Sequence, residues 1–136
     1  MNYTRYLMSA SAVTLGLLGL CCLFAPVVML GQFKVTGSGP AAVIVQVTGA
    51  LYLGFAALNW IGRGQLIGGI YGRPVTIGNL YHYLAASLIM IKVLWQGTEL
   101  PILWPLTVLY VIFAVSFAMV LFRHPPHPAV GASAKP

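Results

Sequence analysis

Between Gly49 and Leu94 the chain gathers the side chains best able to do polar chemistry: Asn59, Arg63, Tyr71, Arg73, Asn79, His82 and Lys92. Two arginines suit a phosphate or carboxylate, because each guanidinium presents a planar fork of donors. An amide and an imidazole suit the polar end of a ligand. Asn79 and His82 are three residues apart, so on a helix they point to one side. If Pro74 opens that helix, His82 lies about 12 Å along it, at 1.5 Å per residue. The chemistry this spacing offers is recognition of a polar head group, with Asn59, Arg63, Tyr71, Arg73, Asn79 and His82 as the candidate ligand-binding set. The same residues admit a plainer role. Asn79 and His82 can hydrogen-bond neighbouring helices, and the arginines can set topology.

Most catalytic chemistries fail on inventory. The 136 residues contain one acid, Glu99, so no carboxylate pair exists for glycoside or aspartyl chemistry. Without an Asp no Ser-His-Asp arrangement can be built. A proton-coupled transporter needs an acid within the membrane, and none lies in an apolar run. His82 is the one histidine in such a run, so a monomer offers a single axial ligand to haem, and two require a symmetric dimer. His124 and His127 have a metal-like H-x-x-H spacing, but prolines fill the gap and no third ligand is near. Adjacent Cys21 and Cys22 point apart on a helix and are poorly placed to bond each other. Neither a metal nor a cofactor is expected, and no catalytic residue stands out. The loop IGRGQLIGGIYGR has glycines but no GxGxxG after a strand and no Walker lysine.

The elements that must position these residues follow from composition. The chain is 60% hydrophobic and 6% charged, with a mean hydropathy of +0.91. It lacks the polar surface that water requires. A net charge of +6 raises nucleic acid as a partner, but the charges sit singly at the ends of apolar runs rather than in a stripe. The expected fold is an all-α integral membrane protein: four antiparallel transmembrane helices in one bundle, spanning about 6–29, 41–60, 74–94 and 102–122, each near the 20 or so residues a bilayer needs. Residues 1–123 form this domain. Residues 124–136 form a proline-rich tail expected to be disordered.

Along the chain, Ser9, Ala12, Gly16 and Gly19 make a small-residue stripe that lets another helix approach. Pro26 should kink or end the first span. The second span carries Gln46, an amide expected to bond across helices. On the third, Gly78, Asn79, His82, Ala86 and Ile89 share one face, and Leu80, Leu84, Leu88 and Ile91 share the lipid-facing one. The last span is apolar nearly all round, which predicts that it is the most lipid-exposed helix. Arg5, Arg63, Arg73, Arg123 and Lys135 fall on one side, against Lys34 and Lys92 on the other. That asymmetry predicts cytoplasmic N- and C-termini.

Three motifs carry a resemblance. FAP-x-x-M-L at Phe24–Leu30 and G-x-L-Y-L-G-x-x-A-L-N-W at Gly49–Trp60 resemble the small four-helix bacterial membrane proteins related to the DoxX family. G-G-I-Y-G-R-P-x-x-x-G-N-L-x-H at Gly68–His82 is similar to an uncharacterised branch of them. The resemblance covers about residues 5–122. It implies a four-helix bundle in the bacterial inner membrane and an accessory part in redox or thiol-related systems. It carries over no catalytic residue, and this chain has no paired cysteine motif on an exposed face. The leading expectation is a non-enzymatic accessory or scaffold protein of the inner membrane. Its partners would be membrane lipids and either other membrane subunits or further copies of itself. The alternative is a binding protein, or an enzyme subunit, holding an anionic lipid or quinone-like amphiphile in a cytoplasm-facing pocket.

Overall fold

The computed structural model describes residues 2–36, 39–64 and 72–123. It contains α1 (Asn2–Phe24), α2 (Pro26–Gln32), α3 (Pro40–Gly62), α4 (Gly72–Trp95) and α5 (Leu103–Arg123), with no strand among the described residues. Four of these helices are long and apolar enough to cross a membrane, so the chain is a multi-pass membrane protein by length and composition. Tyr71, the 65–71 part of the glycine-rich loop, Lys135 and the whole tail with His124 and His127 lie outside the described residues.

Residue pairings fix how the long helices run. Positions 19, 16 and 8 of α1 meet positions 49, 56 and 62 of α3. On the next seam, 62 and 59 of α3 meet 75 and 79 of α4. Tyr83 of α4 packs on Phe113 of α5, while Trp95 lines a groove with Trp104. Leu18 and Cys22 of α1 line a cavity with Leu106 and Tyr110 of α5. Each adjacent pair therefore runs in opposite directions, and the ring closes in the order α1, α3, α4, α5.

The α1–α3 seam is a backbone-to-backbone contact. A Cβ added at Gly19 would meet the Gly49 carbonyl oxygen at 2.9 Å, and one at Gly49 would meet the Gly19 oxygen at 2.8 Å and the Leu23 nitrogen at 2.9 Å. Only glycine permits that approach. Gly16 belongs to the same stripe but is looser, with Ala56 Cβ 3.8 Å from its added Cβ. The α4–α5 seam is built the other way, from large side chains. Tyr83 stacks on Phe113 and Phe117 and meets Tyr110 edge-on, with centroids 4.8, 5.8 and 5.0 Å apart.

Several sequence expectations need correction. The first span is not continuous to Met29. Proline lacks the N–H that would continue the ladder, so α1 ends at Phe24 and Pro26 opens a separate helix that runs past Met29 to Gln32. Gln46 does bond across helices, donating to the Leu23 carbonyl at 3.2 Å, in the last turn of α1 where carbonyls lose their helical partners. Pro74 is the third residue of α4 rather than its first, still within the turn whose N–H groups have no helical acceptor. The buried face of α4 is Gly72, Thr76, Asn79, Tyr83, Ser87 and Met90, so Leu80 packs on the core and Ile89 is exposed.

The last span is the clearest reversal. In α5, 39% of the most apolar window is buried, against 6% in α3. Uniform apolarity does not say which side meets lipid; volume does, and α5 supplies Tyr110, Phe113 and Phe117 to fill the centre. The small residues of α3 bring backbones together without enclosing much side chain.

Candidate functional site

Four buried polar side chains from three helices meet in the core. Seven-residue spacing along α4 brings Thr76, Asn79 and Tyr83 onto its inner face, and Ser11 sits beside the inward row Met8, Ala12 and Leu15 of α1. Asn59 of α3 arrives opposite Asn79. All four network members, Ser11, Asn59, Asn79 and Tyr83, are 0% exposed, so each must find its partners within the protein.

They do so by pairing with one another. Asn59 Nδ2 donates to Asn79 Oδ1 at 2.8 Å, and Asn79 Nδ2 returns a bond to Asn59 Oδ1 at 2.6 Å. The second Asn59 hydrogen goes to Ser11 Oγ at 2.8 Å, and Asn79 Nδ2 also reaches the Val75 carbonyl at 2.8 Å. Ser11 Oγ and the Tyr83 hydroxyl share a bond of 2.7 Å. The donors of both amides are thereby spent. Thr76, Ser87 and Thr107 each return their hydroxyl to the carbonyl four residues back, which satisfies them inside their own helices.

His82 belongs to a different cluster. Its ring stacks on Phe55 at 5.2 Å and touches Tyr52, Tyr83 and Tyr110 at centroid distances of 5.5, 5.1 and 5.6 Å. Its Nε2 is the one buried side-chain polar atom among the described residues without a hydrogen-bond partner. Tyr52 and Tyr110 also border a cavity of about 230 Å³, walled by Leu18, Cys22, Val45 and Leu106. These residues lie in the second half of α1, the first half and middle of α3 and the first half of α5, so the cavity lies toward the half of the bundle away from the described ends Asn2 and Arg123.

The candidate set therefore divides. Asn59 and Asn79 are brought together and consumed by each other. His82 shares no hydrogen bond with them. Arg63 lies just past α3 with its guanidinium carbon 3.4 Å from the Trp60 ring centre. Arg73 sits in the first turn of α4, about 13.5 Å along the axis from His82 at 1.5 Å per residue. Tyr71 is outside the described residues. Sequence reasoning missed Ser11, Tyr52, Tyr83 and Tyr110. A signal existed for Tyr83, which follows Asn79 by four residues on the inner row of α4. None existed for Tyr52, whose partners lie on other helices.

In comparisons with protein-family models, with curated proteins and with solved structures, nothing matches this chain.

Proposed function

We propose that this chain is a non-enzymatic accessory or scaffold subunit of a bacterial inner membrane, with both termini cytoplasmic, and that it is kin to the DoxX-related four-helix proteins. The observation that carries the reading is the closed network of Ser11, Asn59, Asn79 and Tyr83: core polar groups that a catalyst would aim at a substrate are spent on joining α1, α3 and α4. Four arginines at one end of the bundle and two lysines at the other support the orientation. The surface for a partner is α3, where Ala50, Gly54 and Ala57 are exposed and nothing lies within 4 Å of a Cβ added at Gly54. Small residues there let another transmembrane helix come close. Native mass spectrometry of protein extracted in mild detergent tests this. A co-purifying membrane subunit that is lost on Gly54→Leu, with melting unchanged, is expected. A lone chain in every extract, indifferent to Gly54→Leu, overturns it.

The amphiphile reading rests on a separate observation, the unpartnered His82 Nε2 behind the Tyr52–Tyr110 floor of the apolar cavity. It moves the pocket from the arginine-rich end to the other half of the bundle. His82→Phe keeps an aromatic ring and removes the nitrogen. A small apolar molecule retained by the parent and lost from His82→Phe supports this reading, and an empty parent removes it.

A further inference from the structure

At the end of the bundle that holds Asn2 and Arg123, a surface cavity of about 490 Å³ opens between α1 and α3. It is lined by Arg5, Tyr6 and Ser9 of α1 with Trp60 and Arg63 at the end of α3. Two cations converge there without an acid. The sole acidic side chain, Glu99, lies between α4 and α5 at the opposite end. Neither arginine bonds to an acceptor among the described residues, so the cavity holds two positive charges with no internal counter-ion.

The geometry keeps those donors available. The Arg63 guanidinium carbon lies over the Trp60 ring, 3.4 Å from its centre. Cation–π attraction holds the group there without using its N–H donors on an acceptor, so they are free for a phosphate edge. Ser9 contributes a hydroxyl on the α1 wall one turn beyond Arg5. Tyr6 and Trp60 are 74% and 49% exposed, and such rings sit at the boundary between head groups and hydrocarbon. An anion bound beside these rings would lie at the depth expected of a lipid phosphate.

We propose that Arg5 and Arg63, with Ser9 and the Trp60 ring, form a binding site for the phosphate of an anionic phospholipid. The basic residues at this end are then more than topology signals: two are gathered into a cavity, while Arg73 and Arg123 stand outside it. The site does not depend on the scaffold reading, whose partner would cover the exposed small residues of α3.

The test uses the full chain, delipidated in detergent and titrated with phosphatidylglycerol, phosphatidylcholine or inorganic phosphate, with bound lipid read by native mass spectrometry. The parent should prefer phosphatidylglycerol, and the Arg5→Gln/Arg63→Gln double variant should weaken it about tenfold, as loss of charge-assisted bonds implies. Arg73→Gln removes the same kind of charge outside the cavity and should leave binding within about twofold. Arg63→Lys keeps the charge but loses the planar fork and the stack; it should bind phosphatidylglycerol more weakly at an unchanged melting temperature, and it carries the test if the double variant does not fold. Equal affinity for phosphatidylcholine overturns the site. So does an equal loss in Arg73→Gln, which would mean general surface charge. Inorganic phosphate that displaces phosphatidylglycerol at equal concentration would assign the site to free phosphate and overturn the lipid.

Discussion

The two main seams of the bundle solve the same problem with opposite materials. Along α1–α3 the side chains almost vanish, and Gly19 and Gly49 let the backbones touch. Along α4–α5 the side chains are large, and Tyr83 fills the space between helices with Phe113, Phe117 and Tyr110. In lipid the hydrophobic effect does not press helices together, so each seam must win by packing. A glycine seam wins by close approach and leaves no room for error. An aromatic seam wins by contact area, and its rings can adjust. The polar network crosses between the two, tying Ser11 and Asn59 of the first seam to Asn79 and Tyr83 of the second.

The largest effect should come from filling the glycine seam. Gly49→Leu would set a side chain against the Gly19 oxygen and the Leu23 nitrogen, and backbone cannot step aside as a rotamer can. A loss of about 3 kcal/mol, or no folded protein at all, is expected, at the upper end of overpacking costs. Thermal melting in detergent measures it. Gly49→Leu melting like the parent would mean that α1 and α3 do not meet as described.

Next comes the bridge between the seams. Asn59→Leu leaves Asn79 and Ser11 without their partner in a dry core, and a loss of about 2 kcal/mol is expected. Asn79→Leu should cost a similar amount. The two changes together should cost less than their sum, because the second removes a group already stranded by the first. A double-mutant cycle on melting checks this, and strict additivity would deny the amide pair.

How far the sequence reached follows the same division. The small-residue stripe of α1 was legible, because glycine in a membrane span has few uses other than close approach. Four apolar runs were legible for the same sort of reason: only their length mattered. The buried role of α5 was not, since Phe113 and Phe117 are equally at home in lipid and in a core. Asn59, Asn79 and His82 could be singled out as polar groups needing partners. Which partner each takes depends on helix rotation by a fraction of a turn. That rotation sends Asn79 to Asn59 and His82 to the rings of Phe55 and Tyr52.

A smaller effect probes the tie between Tyr83 and α1. Tyr83→Phe keeps the stack on Phe113 and Phe117 and deletes the hydroxyl that meets Ser11. A loss of about 1 kcal/mol is expected, within the range for interhelical bonds in membranes. Ser11→Ala should cost more than Tyr83→Phe, since it also strands one Asn59 hydrogen. If Tyr83→Phe is the more costly of the two, the hydroxyl matters through something other than its bond to Ser11, and that bond is not what ties α4 to α1.

The smallest effect sharpens the account of the glycine seam itself, because Gly16 and Gly19 are one turn apart on the same stripe and should behave oppositely. A Cβ at Gly16 would come no closer than 3.8 Å to Ala56 Cβ, ordinary van der Waals contact. Alanine is also the better helix former, by roughly 0.5–1 kcal/mol in helices in water. Gly16→Ala should therefore leave melting unchanged or raise it slightly. A Cβ at Gly19 would meet the Gly49 oxygen at 2.9 Å and Leu53 Cγ at the same distance. The leucine can rotate, but the carbonyl cannot without moving α3, so Gly19→Ala should lower melting. A common role as flexible points would make both substitutions act alike. A role set by distance makes them act with opposite sign or, at least, with Gly19→Ala alone destabilising. Equal losses in the two variants would show that the stripe works through backbone freedom, and the close-approach account of the α1–α3 seam would fall with it.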